Sequence, residues 1–334
     1  MRAAVITAFN QPWELKDLPD PRPAPGQVLV RVRSSGMCGT DLHVHHGMFP
    51  LKTPFVAGHE PTGEIVEVGA GVIDLVVGDR VGAFWNQKGC GRCERCQSGF
   101  PGSCATAQSW MHLGGGNSEL MLAWASGCAL IPDAVSFESA APIFCAGYTT
   151  MSGLRNADPR PGDRVAVLGV GGLGHLAVQF SKALGLETLA VTARAEKKKE
   201  LILLGADDVV VAGDEPGPAL RDAGGADVIL STTNSARQIA SAFGALRPGG
   251  RFVNMGVADA PIALDPMALI MGQRQMRGSS QDERRDLFEA LELVAKGKVK
   301  PVIETYPLAR VNEVRERLAA GNVRYRAVLQ HSAG

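Results

Sequence analysis

The chain has 334 residues, enough for about two domains, and its 45% hydrophobic and 20% charged residues are the ordinary balance of a globular protein. Thirty-four basic side chains against thirty-four acidic ones leave no field to gather nucleic acid or an anionic membrane. Met1 to Phe9 lacks the form of an export signal, and the most apolar stretch, Val165 to Phe180, is too short and too glycine-broken to span a bilayer, so a cytoplasmic protein is expected.

Roughly the first 140 residues predict short strands. Val28, Val30 and Val32 alternate along QVLVRVR, and Ile65, Val66 and Val68 form a similar run. Turn signals at Pro25-Gly26, Gly69-Ala70-Gly71 and Gly78-Asp79 separate them, which suits a compact, partly closed β domain. Within it Cys90, Cys93, Cys96 and Cys104 form C-x₂-C-x₂-C-x₇-C in a glycine-rich loop. Four thiolates so spaced fit one tetrahedral zinc with no open position, a structural site. An iron–sulfur cluster shares the first two spacings, but the x₇ gap and the lack of a proline after Cys104 disfavour it. The odd total of seven cysteines, with no export signal, points to metal ligands or reactive thiols rather than a disulfide framework. Cys38, His59 and Cys145 could make a second site, two sulfurs and an imidazole leaving a corner for substrate, but spacing alone does not join them. Taken singly, Cys145 in its apolar run is a core residue.

The pattern changes near Pro161. A strand over Val165 to Leu168 runs into glycines and then a helix with Leu173, Leu176, Ala177, Phe180 and Leu184 on one face, closed by Gly185. Strands at Thr188 to Val191, Val209 to Val211, Val228 to Leu230 and Phe252 to Met255 follow, with a helix from about Glu196 to Leu204. Alternating strands and helices predict an α/β fold with a doubly wound parallel sheet. Gly169, Gly171 and Gly174 make a G-x-G-x-x-G, with Gly172 and Leu173 in the same turn, placed to hold a dinucleotide pyrophosphate on free N–H groups. The second strand ends at Thr192 with Ala193 and Arg194, then Lys197 to Lys199, and no carboxylate is there for the ribose hydroxyls. Arg194 and Lys199 therefore favour NADP(H) over NAD(H), since a guanidinium matches a 2′-phosphate. Helices at Glu283 to Ala295 and Val311 to Ala320 and a strand at Ala327 to Leu329 complete the chain.

The order of CGTDLH, GHE, the four-cysteine lobe, CAGYT and GVGGLG resembles the zinc-containing medium-chain alcohol dehydrogenases, most closely their yeast-type and bacterial branch. The resemblance implies a GroES-like β domain, residues 1–145 and 281–334, and a Rossmann dinucleotide-binding domain, residues 146–280. It implies two Zn²⁺ per chain: a catalytic ion on Cys38, His59 and Cys145, with Glu60 as an alternative or outer ligand, and a structural ion on the lobe. Asp41 would orient the ligand histidine, and Thr40 would pass the substrate's proton toward His43. Phe49 and Trp85 would narrow the pocket toward slim primary alcohols or aldehydes, while Thr149 and Val257 would touch the nicotinamide. Hydride transfer between NAD(P)(H) and such a substrate follows, in a homodimer or homotetramer. A zinc-free quinone or enoyl reductase on the same fold is the alternative; it leaves Cys38, His59 and the lobe without a role. His45 and His46 are expected at the surface and Cys128 as a small buried residue. The segment Gly116 to Leu120 departs from the family's aromatic-rich pattern.

Overall fold

Residues 1–281 and 283–331 are described by a computed structural model, in which the chain forms two units, Met1–Cys145 with Pro301–Gly334, and Ala146–Lys300. In the first, the alternation of Val28, Val30 and Val32 becomes the inward face of the strand Gln27–Met37, with Arg31 turned to solvent. This strand pairs antiparallel with Glu60–Val68, Leu120–Trp124 and Arg326–Gln330. The sheet runs Cys128–Leu130, Arg80–Ala83, Glu60–Val68, Gln27–Met37, Arg326–Gln330, Ile303–Pro307. Its core gathers Ile65, Met121, Trp110, Ala327 and Leu329 around the three valines. The last strand matters for the site: Ala327 lies opposite Met37 and Val328 opposite Gly36, so Arg326 arrives beside Cys38.

The second unit is a six-stranded parallel sheet, ordered Asp208–Val211, Glu187–Thr192, Arg164–Leu168, Ala226–Ser231, Leu246–Asn254, Gln275–Gly278. The order reverses next to Arg164–Leu168, which opens a crevice at the carboxyl end of that strand. Val165 to Leu168 are at most 3% exposed, as a sheet covered on both faces requires. The boundary with the first unit is not at 280/281 as the sequence predicts but after Lys300. The helix Arg284–Ala295 belongs to the sheet unit because it packs on the helices Ala146–Asn156 and Gly174–Ala183. It buries Leu287, Ala290 and Leu291 and bonds Asp286 to Ser152 at 2.7 Å. No helix among the described residues is long and apolar enough to cross a membrane.

Candidate metal centre and cofactor turn

Strand Gln27–Met37 gives way to a seven-residue helix, α1 (Gly39–His45), and Cys38 is the hinge between them. Its sulfur accepts the Thr40 N–H at 3.3 Å while the Asp41 carboxylate accepts the Cys38 N–H at 2.9 Å. A sulfur capping a helix N-terminus is favoured as thiolate by the backbone dipoles. Pairing of Gly36 with Glu60 brings the neighbouring strand's first residues alongside, so His59 Nε2 lies 3.2 Å from Cys38 Sγ. Cys145 follows the turn Ala141–Phe144, and the ligand atoms of Cys38, His59, Glu60 and Cys145 all fall within 4.8 Å of one another.

The second ring nitrogen of His59, Nδ1, faces Asp41 Oδ1 at 3.5 Å, which reserves Nε2 for the cluster. Cys38 is held well below the usual thiol range by a hydrogen bond with Cys145 and by the charge of His59, against burial. That same bond, together with burial, pushes the Cys145 thiol up. Burial would lower His59, but the negative charges of Cys38 and Asp41 outweigh it and raise the imidazole. Burial lifts the Glu60 carboxyl to about 7, opposed by the Arg326 guanidinium bonded to its Oε1. Glu60 Oε2 is buried without a hydrogen-bond partner, as are His59 Nδ1 and Asp41 Oδ1. A Cβ at position 36 would stand 1.9 Å from that oxygen, so any larger residue than glycine would displace the Glu60 carboxylate. Acidic donors crowded into a dry site around one protonated imidazole suit a divalent cation, which would replace the shared protons.

In the lobe, Cys90 and Cys96 sulfurs are 3.9 Å apart, and the four sulfurs lie within 4.8 Å of one another. Two sulfurs on a tetrahedral zinc stand about 3.8 Å apart for Zn–S bonds of about 2.3 Å. The Cys104 thiol is lowered to about 6 by the Thr106 hydroxyl and by N–H groups of Cys90 and Thr106. Desolvation raises Cys96 to about 11, so the lobe as a whole gains from a metal that takes up four thiolates.

Aromatic rings wall the first cluster. Trp85 meets the His59 ring edge-on at 5.7 Å and Phe49 packs on Trp85 at 5.8 Å. Trp110, which the sequence did not single out, lies 5.7 Å from both His59 and Trp85. Thr40 and His43, one turn apart on α1, are both half-buried. His46 is exposed and bonded to Asn10, as a surface residue should be. His45 corrects the expectation: it is 8% exposed, and its Nδ1 faces the Trp13 indole N–H and the Arg315 guanidinium, each at 3.2 Å. It occupies the face of α1 that packs on the helix Val311–Ala319, so amphipathic packing took what looked like a surface polar residue. The first three residues of the departing segment are buried too: Gly116 and Asn117 donate their N–H groups to Gly58 and Ala57, just before His59. Cys128 is buried, beside Ala83.

At the carboxyl end of strand Arg164–Leu168, Gly169 to Leu173 form the turn and Gly174 opens the helix. A Cβ on Gly174 would come 2.1 Å from the Gly169 carbonyl oxygen, so helix and turn close only on glycine. Thr192 ends the next strand and its hydroxyl accepts the Arg194 N–H at 3.2 Å, leaving the Arg194 side chain exposed. The lysine that reaches back to the turn is Lys197, whose Nζ lies 3.5 Å from the Val170 carbonyl; Lys199 is exposed on the helix Lys198–Leu203. Thr149 is half-buried on the helix Ala146–Asn156, and Val257, after strand Leu246–Asn254, is 61% exposed.

Residues 24–133 match the family described as alcohol dehydrogenase GroES-like domain, and residues 172–296 the family described as zinc-binding dehydrogenase. An alcohol dehydrogenase of Geobacillus stearothermophilus is 40% identical over 335 residues, 99% of each chain. The aldehyde reductase AdhA of Synechocystis is 35% identical across 92% of this chain and 91% of its own. Among solved structures, the alcohol dehydrogenase of Aeropyrum pernix superposes with a TM-score of 0.90 at 31% identity, covering 99% of this chain and all of that one. With relatives this similar along nearly its whole length, the chain belongs to the zinc-type medium-chain alcohol dehydrogenase family.

Proposed function

We propose that the protein is a zinc-dependent alcohol dehydrogenase and aldehyde reductase that moves hydride between NADP(H) and a slim primary alcohol or aldehyde. The observation that carries this reading is the convergence of Cys38, His59 and Cys145 with Glu60 in one buried cluster. Cys38, His59 and Cys145 would hold a zinc ion that would supply Lewis acidity at the substrate oxygen, and the turn Gly169 to Gly174 would hold a nicotinamide dinucleotide that would supply the hydride-transfer chemistry. The protein's own groups do the rest. Asp41, facing His59 Nδ1 at 3.5 Å, favours the tautomer with a proton there and so keeps Nε2 on the metal side. Glu60 keeps Oε2 as a reserve donor. The Thr40 hydroxyl takes the alcohol's proton as it passes its own proton on, and His43, one helical turn on, hands a proton to solvent. Phe49 and Trp85 exclude water and branched chains from the space beside His59. A quinone or enoyl reductase has no use for these ligands.

The cofactor choice rests on Arg194 and Lys197, both just beyond the strand Glu187–Thr192, and on the missing carboxylate there. One experiment tests both halves of the reading: oxidation of NADPH and of NADH with primary aldehydes and with ketones, by the parent protein and by Arg194→Ala. The parent is expected to prefer NADPH and aldehydes. Arg194→Ala should raise KM for NADPH about tenfold and leave NADH nearly unchanged, since a charge-assisted contact with phosphate is lost. Equal effects on the two cofactors would remove the phosphate assignment; faster turnover of ketones would remove the substrate class.

Self-association fits the sheet unit. Its last strand, Gln275–Gly278, lies at the sheet edge, and Met267, Ile270 and Met271 on the helix Pro266–Gly272 are 58 to 74% exposed. An apolar face beside an open strand edge favours a second copy of the chain, in a dimer or tetramer. A mass measured by light scattering is expected at two or four chains, and a monomer at micromolar concentration would refute it. Seven free cysteines, six of them in the two clusters, suit a reducing compartment such as the cytoplasm.

A further inference from the structure

The proton that leaves the buried cluster must reach solvent near the end of α1, and there the structure offers a contact with no assigned role. The ring nitrogen His43 Nδ1 lies 3.1 Å from the sulfur of Met48. A thioether carries no proton, so the nitrogen is the donor and the sulfur the acceptor. The hydrogen bond at one ring nitrogen decides which tautomer the ring adopts. With Nδ1 protonated and engaged, Nε2 keeps its lone pair. We propose that Met48 is a positioning residue of the relay, holding His43 in the tautomer and orientation in which Nε2 takes a proton. The inference rests on the relay role given to His43 above.

The backbone explains why Met48 is where it is. The helix ends at His46, Gly47 adopts a left-handed φ of +71°, and two hydrogen bonds close the turn: Gly47 N–H to the Val44 carbonyl and Met48 N–H to the His43 carbonyl, both 3.0 Å. This pair of bonds folds the second residue beyond the helix back onto the residue three before its end. Met48 is folded onto His43 in this way. Gly47 is also pressed from behind, since a Cβ there would lie 3.0 Å from the Phe9 ring. Met48 is 62% exposed and His43 half-buried, so the pair stands where a proton passes to water.

The test compares Met48→Leu, Met48→Gln, His43→Ala and the double variant His43→Ala/Met48→Leu, following kcat and KM for alcohol oxidation across neutrality in dilute buffer. Leucine keeps the volume without an acceptor and glutamine restores an acceptor at similar reach. Met48→Leu should lower kcat about threefold on the acid side with KM unchanged, added imidazole buffer should recover it, and Met48→Gln should match the parent. In the His43→Ala background Met48→Leu should cost nothing more. A loss that persists in that background, or one that glutamine shares, would show that Met48 acts by packing and overturn the proposal. Should His43→Ala leave the pH profile and buffer response unchanged, the relay itself fails and the role of Met48 falls with it; the single variants tell the two failures apart.

Discussion

Replacing Cys38 by serine is expected to lower kcat/KM by about a thousandfold, equivalent to about 4 kcal/mol of transition-state stabilisation, and to remove one of two zinc ions per chain. Serine is the informative choice because Cys38 has two duties. As the cap of α1 it accepts the Thr40 N–H, and a hydroxyl does that well, so the helix should survive. As a ligand it contributes a soft, ionised sulfur that a neutral hydroxyl cannot replace at neutral pH. The matching change in the lobe, Cys96→Ser, should invert the pattern: the other zinc is lost, the lobe loosens, and kcat with remaining folded protein changes far less. Metal analysis, steady-state rates and thermal unfolding on the two variants separate the roles. A Cys38→Ser protein that keeps both ions and full turnover would refute the catalytic assignment.

How far the sequence disclosed this architecture depends on how local each signal is. The glycine turn at Gly169 to Gly174 and the lobe of Cys90 to Cys104 are contiguous, so spacing alone places their groups, and both form as expected. Five strands of the sheet unit are equally plain because burial on both faces leaves near-continuous apolar runs, whereas the edge strand Gln275–Gly278, with a single apolar side chain, gives no such signal. The catalytic cluster is another matter. Cys38 and His59 are brought together by strand pairing, Gly36 against Glu60, Cys145 arrives from the turn Ala141–Phe144, and in the sequence only the order of motifs links the three. Helix α1 went unread because a glycine and three histidines surround a weak apolar pattern, and because its cap is a cysteine, outside the usual capping residues. The helices Pro216–Asp222 and Ala236–Phe243 are short, with too few turns for a period to stand out. The sequence does not distinguish Lys197 from Lys199, because three consecutive lysines differ only in which helical face they occupy, and that phase depends on the 3₁₀ turn Ala195–Lys197 that precedes the helix. The residue least accessible to sequence reasoning was Arg326. It stands 266 positions from the carboxylate it neutralises, at the head of a strand whose apolar run announces only burial.

That arginine carries the second large effect. Arg326→Met is expected to destabilise the first unit by about 3–5 kcal/mol, lowering its unfolding temperature by about 10 °C. Arg326 is 2% exposed and Glu60 fully buried; the guanidinium is bonded to Glu60 Oε1, while the His59 ring nitrogen stands farther off at 3.8 Å. Methionine fills much of the volume but leaves a buried carboxyl with neither oxygen paired. Glu60→Gln/Arg326→Met, with both charges gone, should recover much of the loss, because the cost lies in the abandoned charge rather than in the absent pair. The pH dependence identifies the cause. In metal-free protein the Glu60 carboxyl of the parent is raised to about 7, above its unfolded value, so the stability its protonated form contributes is complete below about 4.5 and is lost as pH rises through about 7. Without Arg326, which pulls that value down, ionisation in the fold is harder still. The deficit of Arg326→Met against the parent should therefore widen as pH climbs past about 7 in chelator-treated protein, and the double variant should abolish the widening. Denaturant unfolding at three pH values measures it. A deficit that is constant with pH, or one the double variant leaves in place, would mean that Arg326 serves as packing between strands and that the charge of Glu60 is balanced by another group.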